Sequence, residues 1–399
     1  MKNKSEAWWL CVLFLSAWLG LTAASVIKPS KAFSELENRF LQTRPEFSWS
    51  SLADGSFGQA YEAYIADQFP ARDGWVTLKT YAQRLRGMRD MNGIYFGSGG
   101  HLLENDGELW AQAGGGTQWA GKKAQAQDNL EFLYSFMDTY EPDMDSVRVL
   151  FVPSGSSVLK NRLPAFAPVY PQEQWIRGAA QGFAGRQSFD NPFVELFEIL
   201  EGHQAEDIYY RTDHHWSMQG AFLAYGAWAE SINIAPLAQD DFHMEMVADD
   251  FYGTLYARVH AFGKADELWL YSPGNEDISQ YLTLEDGEEI QGLYDWNALE
   301  TRDKYTFFLH GNHGLARIRT EGNEAIALPQ RKLMVVGDSF ANCFVPFVSL
   351  HFSQTIVVDL RYLGQELSAL IESEGITDIL VMYNVKNFSQ DRNVFRLNK

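Results

Sequence analysis

The sequence predicts an α/β protein built on a parallel sheet flanked by helices, and three observations point to it. The first is a C-terminal series of short β-branched runs, "RKLMVVGDSF" (331–340), "TIVVDLRY" (355–362) and "DILVMYNVKNF" (378–388), with helical intervals between them. Parallel strands are covered by helices on both faces and so read as near-continuous apolar runs. The second is "SVRVLFVPSGSS" (146–157), another such run that ends in Gly/Ser turns. The third is composition: 46% hydrophobic and 14% aromatic side chains over 399 residues are enough to fill one large core or two modest ones.

At the N-terminus, Lys2 and Lys4 precede an apolar run from about Ala7 to Ile27, close to the roughly 20 residues a helix needs to cross a bilayer. We expect residues 1–27 to be an uncleaved signal-anchor with its N-terminus inside and the rest of the chain outside. Cleavage near the small residues Thr22, Ala23 and Ala24 would instead give a secreted protein. Residues 28–90 read as a helical membrane-proximal segment. Apolar and aromatic residues recur there at three- and four-residue spacing from Phe57 to Leu85, broken near "QFPARD".

Residues 91–399 read as the main domain. "NGIYFGSGGHLLEN" (92–105) turns on three glycines and suggests a hairpin, and a helix is expected from Ala124 to Tyr140. "DIYYRT" (207–212) reads as a second strand, followed by a helix from Ser217 to about Ile232. Residues 240–330 hold more alternation and Gly/Asp turns, as in "FYGTLYARVH" and "YTFFLHGNHGLARIRT", and are expected to be inserted β-hairpins.

The formal charge of −20 disfavours nucleic acid and anionic polymers as partners. Arg84/Arg86/Arg89 and Arg317/Arg319 are small basic clusters of the kind that line solvated faces. Cys11 lies in the apolar run and Cys343 far downstream, so the expected exported part of one chain cannot close a disulfide.

Two stretches carry chemistry. In "LMVVGDSFANCF" a buried strand runs into Gly337-Asp338-Ser339, which sets Ser339 at a strand's carboxyl end near a helix start. Backbone N–H groups there can receive a developing oxyanion, although Ser and Asp also stand at such positions as plain N-caps. A nucleophilic serine needs a base, and the base needs an orienting carboxylate. "YYRTDHHWSMQGA" (209–221) supplies both: Asp213 can accept from the imidazole two residues on, leaving His215 free to face Ser339. His214 is the rival base, since adjacent residues leave a strand end in opposite directions. Asp-His-His could also bind Zn²⁺ or Mn²⁺ in a metal-dependent phosphoesterase. Such sites need further ligands from other strands, which the sequence does not offer, so no metal and no cofactor is expected. His310-x-x-His313 falls in an expected hairpin rather than on a helix face.

"TDHHW" (212–216) and "GDSF" (337–340), with "ENR" (37–39), "ADQFPARD" (66–73) and "NGIYFG" (92–97), resemble the DHHW protein family, exported bacterial proteins similar to the SGNH-hydrolase-like domain of the alginate O-acetyltransferases. The resemblance implies an SGNH-hydrolase-like (flavodoxin-like) sheet in circularly permuted order, because the acid and base here precede the serine. It implies Ser339 as nucleophile, His215 as base and Asp213 as its orienting carboxylate, with Trp216 packed beside them. The activity it implies is acyl, usually acetyl, transfer to a cell-surface or exported polysaccharide, or the corresponding ester hydrolysis. A membrane-bound acyl-donor protein would be a partner.

Asn384 and Asn387, in "YNVKNF", are candidate oxyanion donors or turn formers. Asn342 reads as a helix-surface residue and Cys343 as a buried apolar one. Tyr252 and Arg258 could line a substrate cleft, aromatic against a sugar ring and guanidinium against a carbonyl, or belong to core and surface respectively. The competing reading from another class is a non-catalytic polysaccharide-binding or assembly protein that keeps the same fold.

Overall fold

The computed structural model describes residues 3–34, 39–107, 120–184, 191–324, 326–328 and 330–399. Lys2, Glu37 and Asn38, singled out above, lie outside the described residues. The chain divides into two compact units, Met1–Met88 with Ala257–Ala261, and Arg89–Tyr256 with Phe262–Lys399.

In the first unit, helix α1 (Asn3–Ile27) contains the stretch Trp8–Ser25, none of it buried, whose mean hydropathy of 1.6 over 18 residues makes it long and apolar enough to cross a membrane. A short pair, β1 (Phe33–Ser34) and β2 (Arg39–Phe40), follows. Helices α2 (Trp49–Ala53), α3 (Ser56–Asp67) and α4 (Arg72–Leu85) follow, and α3 and α4 are separated at "QFP", where the proline cannot continue a helix. Arg39, the last residue of "ENR", forms a two-armed ion pair with Asp67 of "ADQFPARD" (2.5 and 3.0 Å), so two of the motifs meet in space.

In the second unit, β3 (Asp90–Met91), β4 (Ile94–Phe96) and β5 (Leu102–Glu104) form a small antiparallel sheet. The main sheet takes β6 (Ser146–Val152), β9 (Ser279–Thr283), β10 (Glu289–Gln291), β11 (Leu315–Glu321), β12 (Lys332–Gly337), β13 (Gln354–Val358) and β14 (Asp378–Asn384), in the order β10-β9-β11-β13-β12-β14-β6. The strands β13, β12, β14 and β6 are parallel. Successive side chains of a strand point to opposite faces, and both faces are covered here. Leu333, Val335, Leu380 and Met382 join one core with the helix Met218–Ser231, while Met334, Val336, Ile379 and Val381 join the other with the helix Ala120–Tyr140. That double burial is why these strands are legible as unbroken apolar runs.

Three expectations need correction. The sheet is mixed rather than wholly parallel: β11 pairs antiparallel with β13 and β9, and β9 with β10. The alternation in "LARIRTE", with Arg317 and Arg319 only partly buried between buried neighbours, is the mark of such a strand. Residues 207–212 form no sheet strand but one side of a tight turn, closed by the Tyr209–Trp216 bridge. Among the described residues of 240–330, β7 (Phe242–Phe251) and β8 (Asp266–Pro273) make a hairpin apart from the main sheet, whereas the β9–β10 hairpin and β11 belong to it. Thr254–Val259 is helical and Lys304–Phe307 a 3-10 turn, because the aromatics of "FYGTLY" and "YTFF" pack at helical rather than alternating spacing.

Candidate active site

Ser339 follows β12 directly. Gly337 ends the strand where it lies against β14, and a β-carbon there would run into the carbonyl of Met382. The chain then enters a 3-10 turn, Ser339–Ala341, rather than a long helix. Asp338 caps that turn. Its Oδ1 accepts from the Phe340 N–H (3.0 Å), and its Oδ2 accepts from the Asn384 N–H (3.0 Å) and Asn387 Nδ2 (2.8 Å). Burial pushes the Asp338 carboxyl up, against those three bonds.

The second half of the site is the turn 209–216. Tyr210 N–H donates to the His215 carbonyl (3.2 Å) and Ser217 N–H to the Ile208 carbonyl (3.0 Å). Asp266 supports it from β8 by accepting from the N–H groups of Arg211 (2.6 Å) and Thr212 (2.8 Å). Trp216, fully buried, donates its indole N–H to the Phe340 carbonyl (2.9 Å) and thereby ties this turn to the serine turn.

Between the two lies a continuous hydrogen-bonded line. His215 Nε2 is 2.7 Å from Ser339 Oγ, and His215 Nδ1 is 2.6 Å from Asp213 Oδ1. Asp213 accepts four donors: the His215 N–H (3.0 Å) and ring N–H on Oδ1, and the Thr254 N–H (2.7 Å) and hydroxyl (3.0 Å) on Oδ2. With Nδ1 donating to the carboxylate, Nε2 carries the lone pair that faces the serine hydroxyl. Burial alone would push Asp213 up. The adjoining imidazoles and the bonds from His215 and Thr254 outweigh it, so the carboxyl sits well below the usual carboxylate range. Burial, reinforced by His214, pushes His215 down to about 4 against the pull of Asp213. At neutral pH this imidazole is uncharged and able to accept a proton.

His214 points elsewhere. Its Nδ1 lies 2.7 Å from Thr254 Oγ1, and its ring rests 3.8 Å from the His215 ring. Tyr305 stacks on His215 nearly parallel, at 3.8 Å and 5°, and donates its hydroxyl to the Ser339 carbonyl (3.0 Å). One side chain therefore holds both the imidazole plane and the serine turn.

The remaining candidates fall as follows. Asn384 caps the helix Val385–Gln390 and gives its Nδ2 to the Val152 carbonyl (3.1 Å), while Asn387 is engaged with Asp338. Asn342 is buried, not on a helix surface, and donates to the Gly311 carbonyl (3.2 Å) and Asn312 Oδ1 (3.1 Å). It holds a loop in which Leu309, His310 and Gly311 all have positive φ, so His310 and His313 are not in a hairpin. Cys343 is buried and its thiol is pushed up to about 12 by that burial. Tyr252 is half-buried against Tyr256, and the guanidinium over both rings is Arg302 (5.8 and 5.4 Å). Arg258 is exposed and belongs to the first unit.

Thr254, Tyr305 and Arg302 escaped the sequence reading. Thr254 stood beside the quoted Tyr252 without a motif to mark it, and nothing in "DKYTFF" distinguishes Tyr305 from a core aromatic.

The comparisons with known proteins agree with the motifs. The DHHW protein family model matches residues 190–358. The resemblance drawn from "TDHHW" and "GDSF" is thus borne out. A DHHW family protein from Eubacterium siraeum superposes with a TM-score of 0.59 at 22% identity, covering 77% of this chain and 96% of its own. PatB1 of Bacillus cereus, in a structure carrying a sulfonyl adduct, gives a TM-score of 0.54 at 22% identity over 70% of this chain and 92% of its own. The O-acetyltransferase domain of Pseudomonas putida AlgJ gives 0.47 at 15% identity over 75% and 93%. No curated protein matches the chain significantly. The likeness to the first two is one of fold, a mixed α/β sheet between helices.

Proposed function

We propose that this chain is an exported, membrane-tethered serine acyltransferase or esterase that acts on a cell-surface or exported polysaccharide. The observation that carries the reading is the line Asp213–His215–Ser339, with 2.6 and 2.7 Å links and an uncharged, buried imidazole in the middle. Ser339 Oγ attacks the acyl carbon while His215 Nε2 takes its proton. The leaving alcohol departs with that proton and leaves an acyl-serine. A sugar hydroxyl or water then attacks, gives its proton to His215, and Ser339 recovers it as the ester or acid is released. Asp213 holds the imidazole tautomer and offsets the charge that forms on it. In PatB1, which shares the fold, the recorded sulfonyl adduct is the kind of product an activated hydroxyl forms.

On this reading residues 1–27 anchor the chain, 28–90 form a membrane-proximal segment and 91–399 carry the chemistry outside the cytoplasm. The order acid, base, serine makes the sheet a circular permutation of the simple SGNH arrangement. A multi-span membrane protein would bring the acyl group across the bilayer.

A second reading rests on Asp213, His214 and His215, whose ligand atoms lie within 4.8 Å of one another. Against a metal, Asp213 already accepts four donors and His214 Nδ1 is paired with Thr254. The test is hydrolysis of a chromogenic acetyl ester by the full chain in detergent, with Ser339→Ala, His215→Ala and His214→Ala alongside. Loss in the first two, survival in the third and indifference to a chelator support the serine mechanism. Activity equal in parent and Ser339→Ala would leave a polysaccharide-binding protein, and loss with the chelator would favour the metal reading.

A further inference from the structure

The turn that carries His215 has a cleft of about 240 Å³ beside its stem, and the mechanism above does not use it. We infer that this cleft is a binding subsite for an oligosaccharide without anionic groups, set beside the base. The inference deepens the polysaccharide reading by naming the class of sugar chain.

The aromatic floor comes from β8. Leu268 and Leu270 turn into the core, so Glu267 and Trp269 face the other way, while Tyr271 is buried against Phe222 and Phe347 and closes the inner end of the cleft. Across the hairpin Met246 lies opposite Trp269 and Met244 opposite Tyr271, which lengthens the apolar strip. Trp269 is 37% exposed, enough to offer a ring face, and its indole N–H is held by Glu267 Oε2 at 3.1 Å. A pyranose presents its C–H face to such a ring and its hydroxyls to the polar rim.

That rim is built of acceptors and an amide. Gln219 receives the Tyr271 hydroxyl (3.0 Å) and gives its own N–H₂ to Glu206 (2.8 Å). Arg211, the one cation lining the cleft among the described residues, is neutralised by both oxygens of Asp207 at 2.8 Å. With that pair cancelled, Asp266 and Glu267 leave the cleft acidic, on a chain of formal charge −20, and a carboxylated or sulfated sugar would be repelled. A purely apolar ligand would strip water from the exposed Asp207 and Glu267 carboxylates without replacing it.

The cleft also sits at the right place. Tyr210, which lines it, is hydrogen-bonded across the turn to the His215 carbonyl, and Ser217 lines it two residues beyond the base.

Calorimetric titration of the full-length Ser339→Ala chain in detergent tests the inference without turnover. Cellotetraose and de-acetylated chitotetraose are expected to bind and tetragalacturonate is not. Trp269→Ala should weaken binding about tenfold, the loss of one well-packed aromatic contact; Trp269→Phe, which keeps a ring, should recover part of it. Unchanged affinity in Trp269→Ala, tetragalacturonate binding as tightly as the other two, or saturable binding of tri-lysine in place of any sugar would overturn the subsite. The two readings fail separately. An active esterase whose sugar affinity ignores Trp269 loses the subsite alone, whereas sugar binding through Trp269 in a chain without Ser339-dependent ester hydrolysis loses the acyl chemistry alone.

Discussion

Replacing Asp213 by asparagine changes one oxygen for an amide in a place where all four neighbours are donors. Oδ1 faces the His215 N–H and ring N–H, and Oδ2 faces the Thr254 N–H and hydroxyl. The Thr254 hydroxyl can rotate to accept, but neither backbone N–H can. Whichever way the amide is turned, one buried N–H loses its acceptor, which costs about 1–3 kcal/mol of stability. With the NH₂ toward His215, only the other imidazole tautomer relieves the clash on the ring: Nδ1 accepts and Nε2 carries the proton. That proton then points at Ser339 Oγ, 2.7 Å away, and the imidazole can no longer take the serine's. Serine proteases lose about 10⁴-fold for such a change, equivalent to about 5.5 kcal/mol of transition-state stabilisation. The assay is kcat/KM for a chromogenic acetyl ester, with thermal unfolding alongside to separate folding from chemistry. A folded Asp213→Asn chain that keeps more than about a tenth of parental kcat/KM would refute the reasoning.

The acid limb of kcat/KM should lie near pH 4 rather than near the ordinary 6.5 of histidine, because burial lowers the His215 value to about 4. The same shift has a sign for stability: the folded value is below the unfolded one, so the unfolded chain takes up the proton first, and the stabilisation present above about pH 6.5 is lost as pH falls toward 4. Gly253→Ala should cost activity about 100-fold, since the new methyl group would fall on the Asp213 side chain and shift the carboxylate; parental kcat/KM in that variant would refute the packing. Tyr305→Phe keeps the ring on His215 and loses the hydroxyl's bonds to the Ser339 carbonyl and to Cys343 Sγ, so kcat should fall less than tenfold, whereas Tyr305→Leu uncovers the imidazole and should also move the acid limb upward toward 6.5. Identical pH profiles for those two variants would show that stacking does not position the base.

Some of this was legible in one dimension. The parallel strands announce themselves because both faces are buried, which forces uninterrupted β-branched runs at 146–152, 332–337, 354–358 and 378–384. The helix after the histidines is marked by its own cap, Ser217, whose hydroxyl accepts from the Gly220 N–H at 3.3 Å. Asp213 and His215 are two residues apart, so their contact is a local matter of one turn, and the short strand-to-turn passage "VVGDSF" marks Ser339 independently.

Sequence alone could not decide what depends on long-range packing. Whether His214 or His215 faces Ser339, 124 residues away from the latter, is set by the Trp216 bond to Phe340 and by Tyr305 stacking on a single imidazole. That the strands of 279–321, expected as inserted hairpins, extend the main sheet does not show in the sequence, because short alternating runs look the same whether they pair with each other or join a larger sheet. Asn384 and Asn387 gain their partners only because Asp338 sits between two parallel strand ends, and Thr254 reaches Asp213 only because the 253–256 backbone closes on Thr212. The sequence determined which groups have the chemistry and the local turns that expose them; the tertiary structure decided which of them meet, because hydrogen bonds at 2.6–2.8 Å are made by elements far apart in the chain whose positions only the packed core fixes.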